Sequence, residues 1–162
     1  MLKADPSVND MKVIKAIGIT FLFAGTLDLL AAIIQTLVAG GSPVKLLQYI
    51  ASGIFGPQSF SGGAPFALMG LAFHYMIAMI WTAIFFILYR AIRMFSNNCV
   101  FGGLLWGVFI WAIMNLVVLP LSNVPTSPWD TPRALIALLV LISAMGMPIS
   151  YLAYRFYRKE ER

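Results

Sequence analysis

The sequence predicts an all-α, polytopic membrane protein: four transmembrane helices, with a short interfacial or re-entrant amphipathic helix between the first and second. Three observations carry this reading. Four apolar stretches, about 13–39, 64–90, 100–121 and 134–156, are each long enough to cross a ~30 Å hydrocarbon core at ~1.5 Å per residue, with some tilt. Only 10% of the 162 residues are charged and 60% are hydrophobic, whereas soluble domains carry roughly 25% charged residues. A mean hydropathy of +0.88 leaves no soluble core large enough to absorb that excess. The basic residues, finally, sit in short groups beside the apolar stretches, as membrane topology places them. Residues 1–162 read as a single integral membrane domain.

The first stretch, 13–39, ends at Gly40-Gly41-Ser42-Pro43. It is too long for a signal-peptide core and no small-x-small cleavage site closes it convincingly, so it reads as a retained span. The apolar runs of segment 44–60 are too short to cross, and Gly53, Gly56 and Pro57 punctuate it. An amphipathic helix over 44–55, lying in the interface or dipping back into the bundle, accounts for it. The second span runs about twenty-five residues without a charge and stops at Tyr89-Arg90. A tight connection ending in Ser96-Asn97-Asn98 leads to the third span, and a proline-rich loop at 122–133 follows it. Thr131 is the expected N-cap of the fourth span, with Pro132 at its first helical position. Pro148 inside that span is expected to bend or locally open it.

Orientation follows from the basic residues. With the N-terminus cytoplasmic, Lys3, Lys12, Lys15, Arg90, Arg93, Arg155, Arg158, Lys159 and Arg162 lie inside, and only Lys45 and Arg133 lie outside. That asymmetry places both termini in the cytoplasm. Spans two and four both end in Tyr-Arg-x-x-Arg, and spans one and three each carry a mid-helix glycine, Gly25 and Gly107. This echo fits a duplicated two-span hairpin; it also fits the ordinary aromatic-and-basic ending of a cytoplasmic helix terminus.

The informative residues are polar ones inside apolar helices. On the first span, Thr20, Ala24, Asp28, Ala31 and Gln35 share one narrow face at ~100° per residue. A carboxylate near a helix centre opposes insertion by about 2.5–3.5 kcal/mol, so Asp28 should face protein or water. The second span makes a similar stripe from Ala67, Gly70, His74, Ala78, Trp81 and Phe85, in which His74 is the only histidine of the chain. Counted from the outer ends of their spans, Asp28 and His74 lie at depths of about 16 and 14 Å. Consecutive antiparallel helices are neighbours by default, so an Asp28–His74 hydrogen bond or ion pair is expected. Asn115 and Ser143 lie at comparable levels on spans three and four, so every span is expected to give a polar group to the outer half.

Two readings of these groups stand side by side. In one, Asp28 and His74 accept a proton or hold a ligand in a polar cavity, with Gln35 and Asn115 lining the approach. In the other, the polar groups are interhelical glue, worth about 0.6 kcal/mol per hydrogen bond. Gly70, Gly103, Gly107, Gly146 and Ser150 are small enough to allow close helix packing. No metal site is expected, since one histidine and a distant Cys99 supply no ligand set. A haem would need His74 to pair with a methionine such as Met76 or Met114, or across a dimer, and no cofactor is assigned. Cys99, the single cysteine, forms no intramolecular disulfide and reads as a packing residue. There is no nucleophile with a neighbouring base, no phosphate-cradling glycine loop and no basic-aromatic nucleic-acid motif.

His74, the helix end at Tyr89, the run Gly103-Leu104-Leu105-Trp106-Gly107, and the exit Pro120-Leu121 with Pro125 together resemble the later half of the YagU-type small bacterial inner-membrane proteins. The resemblance covers about fifty residues and implies a bacterial inner membrane, with no reaction attached. Three functions are therefore weighed. The first is a proton- or ligand-handling protein working through Asp28 and His74. The second is a non-catalytic scaffold whose glycine faces pack against its own copies or a membrane partner. The third is a lipid- or quinone-linked enzyme with His74 as base and residues 44–60 as a lateral lid.

Overall fold

The computed structural model describes residues 10–92, 95, 98–125 and 130–160. Among these, the chain forms α1 (Asp10–Val38), α2 (Pro43–Phe55), a 3-10 turn at Gly56–Phe60, α3 (Gly63–Ala91), α4 (Cys99–Leu121) and α5 (Thr131–Glu160). No strand occurs among the described residues. Helices α1, α3, α4 and α5 are long and apolar enough to cross a membrane, and the protein is a multi-pass membrane protein. Large apolar side chains point outward along them, Leu22, Phe23, Leu30 and Ile34 on α1 for example. That is the pattern expected where the solvent is hydrocarbon and the interior need not be the more apolar side. Arg93 and the polar connection at 96–97 lie outside the described residues.

Each boundary has a local cause. Pro43 opens α2 in the first turn, where its missing N–H costs nothing. Gly40, Gly56 and Gly63 take positive φ angles of 75°, 73° and 63°, which only glycine adopts cheaply, so the two connections flanking α2 are built on them. Asn98 caps α4, its Oδ1 accepting from the N–H groups of Val100 at 3.0 Å and Phe101 at 3.1 Å. The cap of α5 falls one residue earlier than the sequence suggested. Asp130, not Thr131, accepts from the Arg133 N–H at 3.2 Å, because Asp130 is the residue with extended backbone.

The bundle is held by three close helix pairs, α1 with α3, α1 with α5 and α4 with α5, while α2 packs along α3. The α4–α5 crossing is a backbone contact. A Cβ on Gly146 would lie 2.2 Å from the Gly103 carbonyl oxygen, and one on Gly107 would lie 2.5 Å from Ile142 Cα. Ser150, wholly buried, donates its hydroxyl to the Cys99 carbonyl at 2.8 Å on the same seam. Helices α3 and α4 meet differently, through large rings. Trp106 lies against Trp81 at 5.9 Å and Phe85 at 5.2 Å, and Tyr89 stacks on Tyr157 of α5 at 5.0 Å. These rings fill the end of the bundle where Lys12 of α1 meets Glu160 of α5 in an ion pair of 3.0 Å. That pairing puts the start of α1 and the end of α5 at one end, as an even number of passes requires.

Two helices are not α-helical throughout. Residues Met114–Val118 of α4 and Leu141–Gly146 of α5 form π-helical turns. Each ends two residues before a proline, Pro120 and Pro148. A proline ring crowds the carbonyl four residues back, here Leu116 and Ala144, and both lie inside the widened turns. The expected effect of Pro148 thus takes the form of a π-turn preceding it.

Candidate functional site

At the end of the bundle opposite the aromatic plug, the helices enclose a partly open cavity of about 350 Å³. Its polar wall comes from two helices. α1 gives Asp28, Gln35 and Thr36, and α3 gives His74. α2, α4 and α5 contribute only apolar side chains, such as Ile50, Met114 and Val140, and Trp81, Ile110 and Met145 form the boundary with the plug. The volume falls at the low end of the range of small-molecule pockets, which are mostly apolar with a few convergent polar groups. The π-turns adjoin it, since Met114, Leu141 and Met145 belong to them; such turns recur at functional sites.

The close approach of α1 and α3 sets the geometry of the polar groups. A Cβ on Gly25 would lie 3.0 Å from Ala78 Cβ, so the absence of a side chain lets α3 come near the α1 backbone. His74 then reaches the Gly25 carbonyl, with Nε2 at 2.8 Å. A carbonyl oxygen only accepts, so His74 Nε2 carries a proton and Nδ1 is the ring position left to exchange one. One residue along, the hydroxyls of Thr26 and Tyr75 are hydrogen-bonded at 2.9 Å.

The expected Asp28–His74 hydrogen bond or ion pair is not made among the described residues; Nε2 of the ring turns to the Gly25 carbonyl. Asp28 lies on the same cavity wall and forms no ion pair or hydrogen bond among the described residues. Gln35, about 10 Å further along α1, also lines the wall, and its amide hydrogen-bonds to nothing among the described residues. Thr36 returns its hydroxyl to the Ala32 carbonyl at 2.8 Å.

Two sequence expectations fail here for one reason. Asn115 does not line the cavity; its Nδ2 donates to the Trp111 carbonyl at 2.9 Å, one turn back on α4. Ser143 is exposed and bonds back to the carbonyls of Leu139 at 2.8 Å and Val140 at 3.2 Å. Short polar side chains satisfy themselves on their own helix when no partner is within reach. The polar set is therefore Asp28, His74 and Gln35, drawn from α1 and α3 alone.

The packing residues lie where helices touch. Gly103, Gly107, Gly146 and Ser150 form the α4–α5 seam, and Gly70 receives α2, since a Cβ there would lie 1.8 Å from the Leu47 carbonyl oxygen. Leu47 meets α3 about 10 Å beyond the start of that helix, so α2 dips beside the bundle and supplies Leu46 and Ile50 to the cavity. Gln48 Nε2 to the Gly63 carbonyl, from the middle of α2, and Asn123 Nδ2 to the Ile54 carbonyl, near its end, both 3.0 Å, hold α2 in place. Sequence reasoning brought residues 44–60 to the site only as a lateral lid and named no contact residue on it. Gln48 and Ser52, polar but buried on the face of α2 that meets the bundle, are the signal that it is more than a surface helix. No groups among the described residues are arranged to hold a metal ion. No known protein family, no curated protein and no solved structure matches this chain.

Proposed function

We propose that the protein holds a small ligand within the membrane and handles a proton beside it, with Asp28 and His74 as the working groups. The observation that carries this reading is the cavity. It gathers a carboxylate, an imidazole and an amide into an otherwise apolar wall, and leaves the carboxylate and amide without protein hydrogen-bond partners. Interhelical glue would use those groups up; here they are left to water or a ligand. The scaffold reading loses support, because Gly70, Gly103, Gly107 and Gly146 are consumed within the chain. Native mass and absorbance spectra of the protein in lipid nanodiscs test the proposal. The expected result is a releasable small molecule above a multiple of 17.8 kDa, lost in Asp28→Asn while the helical circular dichroism is kept. Bare protein in the wild type, with Asp28→Asn failing only to fold, would make the cluster structural.

The membrane in question is, in this proposal, the bacterial inner membrane, with both termini cytoplasmic. The distribution of Lys and Arg supports the orientation, and the YagU-type resemblance supports the compartment. A fluorescent reporter that matures only in the cytoplasm should light when fused after Arg162 and stay dark when inserted at 126–129. The reverse pattern would invert the topology.

A further inference from the structure

We infer that the ligand is an organic cation with an apolar body, its charge set against the Asp28 carboxylate, and that it exchanges for the one proton that Asp28 and His74 hold between them. The inference rests on the reading of the cavity as a ligand site and adds the chemistry of what enters. Among the described residues, Asp28 and His74 are the only titratable side chains in the wall; α2, α4 and α5 offer none, and no Lys or Arg lines the cavity. Among these residues the carboxylate thus has no permanent counter-charge, and the ionisable group that shares its wall is the His74 ring, whose Nε2 is bonded to the Gly25 carbonyl. An isolated charge in an apolar site is costly, and a second unpaired charge of either sign equally so. The cavity is therefore neutral when Asp28 and His74 hold one proton between them, on either group, or when a carboxylate and a neutral imidazole face a bound cation.

Moving between these states balances simply. The cation enters, the pair gives its one proton to water to leave carboxylate and neutral imidazole, and the net charge of the site does not change. The rest of the wall suits the rest of the ligand. Ile50, Ile77, Met114 and Met145 offer apolar and polarisable contacts, and the Trp81 indole stands in the same wall as the carboxylate, where a cation gains from the ring. An anion would meet the carboxylate with no basic side chain to offset it.

The test is isothermal titration of the nanodisc-held protein with benzyltrimethylammonium, its neutral carbon isostere neopentylbenzene, and benzoate, in two buffers of different ionisation enthalpy. The cation is expected to bind one per chain and release up to one proton, its affinity falling about tenfold per pH unit wherever the Asp28–His74 pair holds that proton in the free protein. Asp28→Asn should weaken it at least about a hundredfold, on the scale of removing one partner of a buried charge pair. His74→Gln keeps an amide donor for the Gly25 carbonyl. With Asp28 retained it should still prefer the cation to the neutral isostere, which keeps the proposal open to refutation if Asp28→Asn does not fold. Equal affinity for the neutral isostere, unchanged by Asp28→Asn, would remove the cation and leave the ligand cavity standing. Preference for benzoate, or cation binding by the wild type with no proton released at any pH, would overturn the exchange. Saturable binding by none of the three would also overturn it, and the cavity would then be judged by its co-purified mass.

Discussion

Gly146→Ala is expected to unfold the bundle at a much lower denaturant dose than the wild type, although it adds one methyl group. The new Cβ would lie 2.2 Å from the Gly103 carbonyl oxygen and 2.8 Å from the Gly107 nitrogen. Both are backbone atoms, so no side chain can turn aside. Overpacking a core costs typically 1–3 kcal/mol, and a backbone-to-backbone clash belongs at or above the top of that range. The helices would separate by roughly the missing ångström, and the Ser150 to Cys99 hydrogen bond on the same seam would go with them. Gly18→Ala is the control. Nothing lies within 4 Å of a Cβ there, and alanine is the better helix former by about 0.8–1 kcal/mol. Loss of helicity followed through an SDS titration in mixed micelles separates the two. Equal midpoints for Gly146→Ala and wild type would mean that α4 and α5 do not cross where the structure places them.

The four spans, and the glycines where helices come close, were legible in the sequence because each rests on a local quantity; that Gly103 and Gly107 meet Gly146 within the chain was not. Length and hydropathy mark the spans, and a glycine marks a place where something comes close. The shared level of Asp28 and His74 was legible too, since 1.5 Å per residue turns sequence position into depth. Their partners were not. That His74 bonds to the Gly25 carbonyl depends on how near α1 and α3 lie, and a backbone acceptor leaves no trace in residue identity. Asn115 and Ser143 show the same limit from the other side: each bonds to a carbonyl one turn back on its own helix. The π-turns at 114–118 and 141–146 were half legible. The sequence displays Pro120 and Pro148, and the carbonyls they crowd fall inside those turns, yet only the Pro148 distortion was anticipated, and its form was not.

Gly70→Ala should have a local effect of comparable size, because it strikes one wall of the cavity and leaves the bundle alone. Its Cβ would lie 1.8 Å from the Leu47 carbonyl oxygen and 2.7 Å from the Leu47 carbonyl carbon, so α2 has to back away from α3. The contacts that would have to follow run along α2: Gln48 to the Gly63 carbonyl, the Phe55 ring against Phe66 at 5.4 Å and Phe73 at 5.9 Å, and the Asn123 N–H to the Gly53 carbonyl at 3.0 Å. The close pairs α1–α3, α1–α5 and α4–α5 do not pass through α2, so the span helices should keep their stability. Amide exchange measured by mass spectrometry should rise about 30- to 100-fold over 43–55, equivalent to about 2–3 kcal/mol of local opening, with little change over 141–157. Since Leu46 and Ile50 move with α2, a molecule held beside Asp28 should leave faster by a similar factor. Uniform loosening of all five helices would show that α2 is part of the core and not a separable wall. Unchanged exchange over 43–55 would show that α2 does not rest on Gly70 at all. The expected pattern would make α2 the part of the fold that governs how readily the cavity opens, and would separate that role from the charge chemistry of Asp28 and His74.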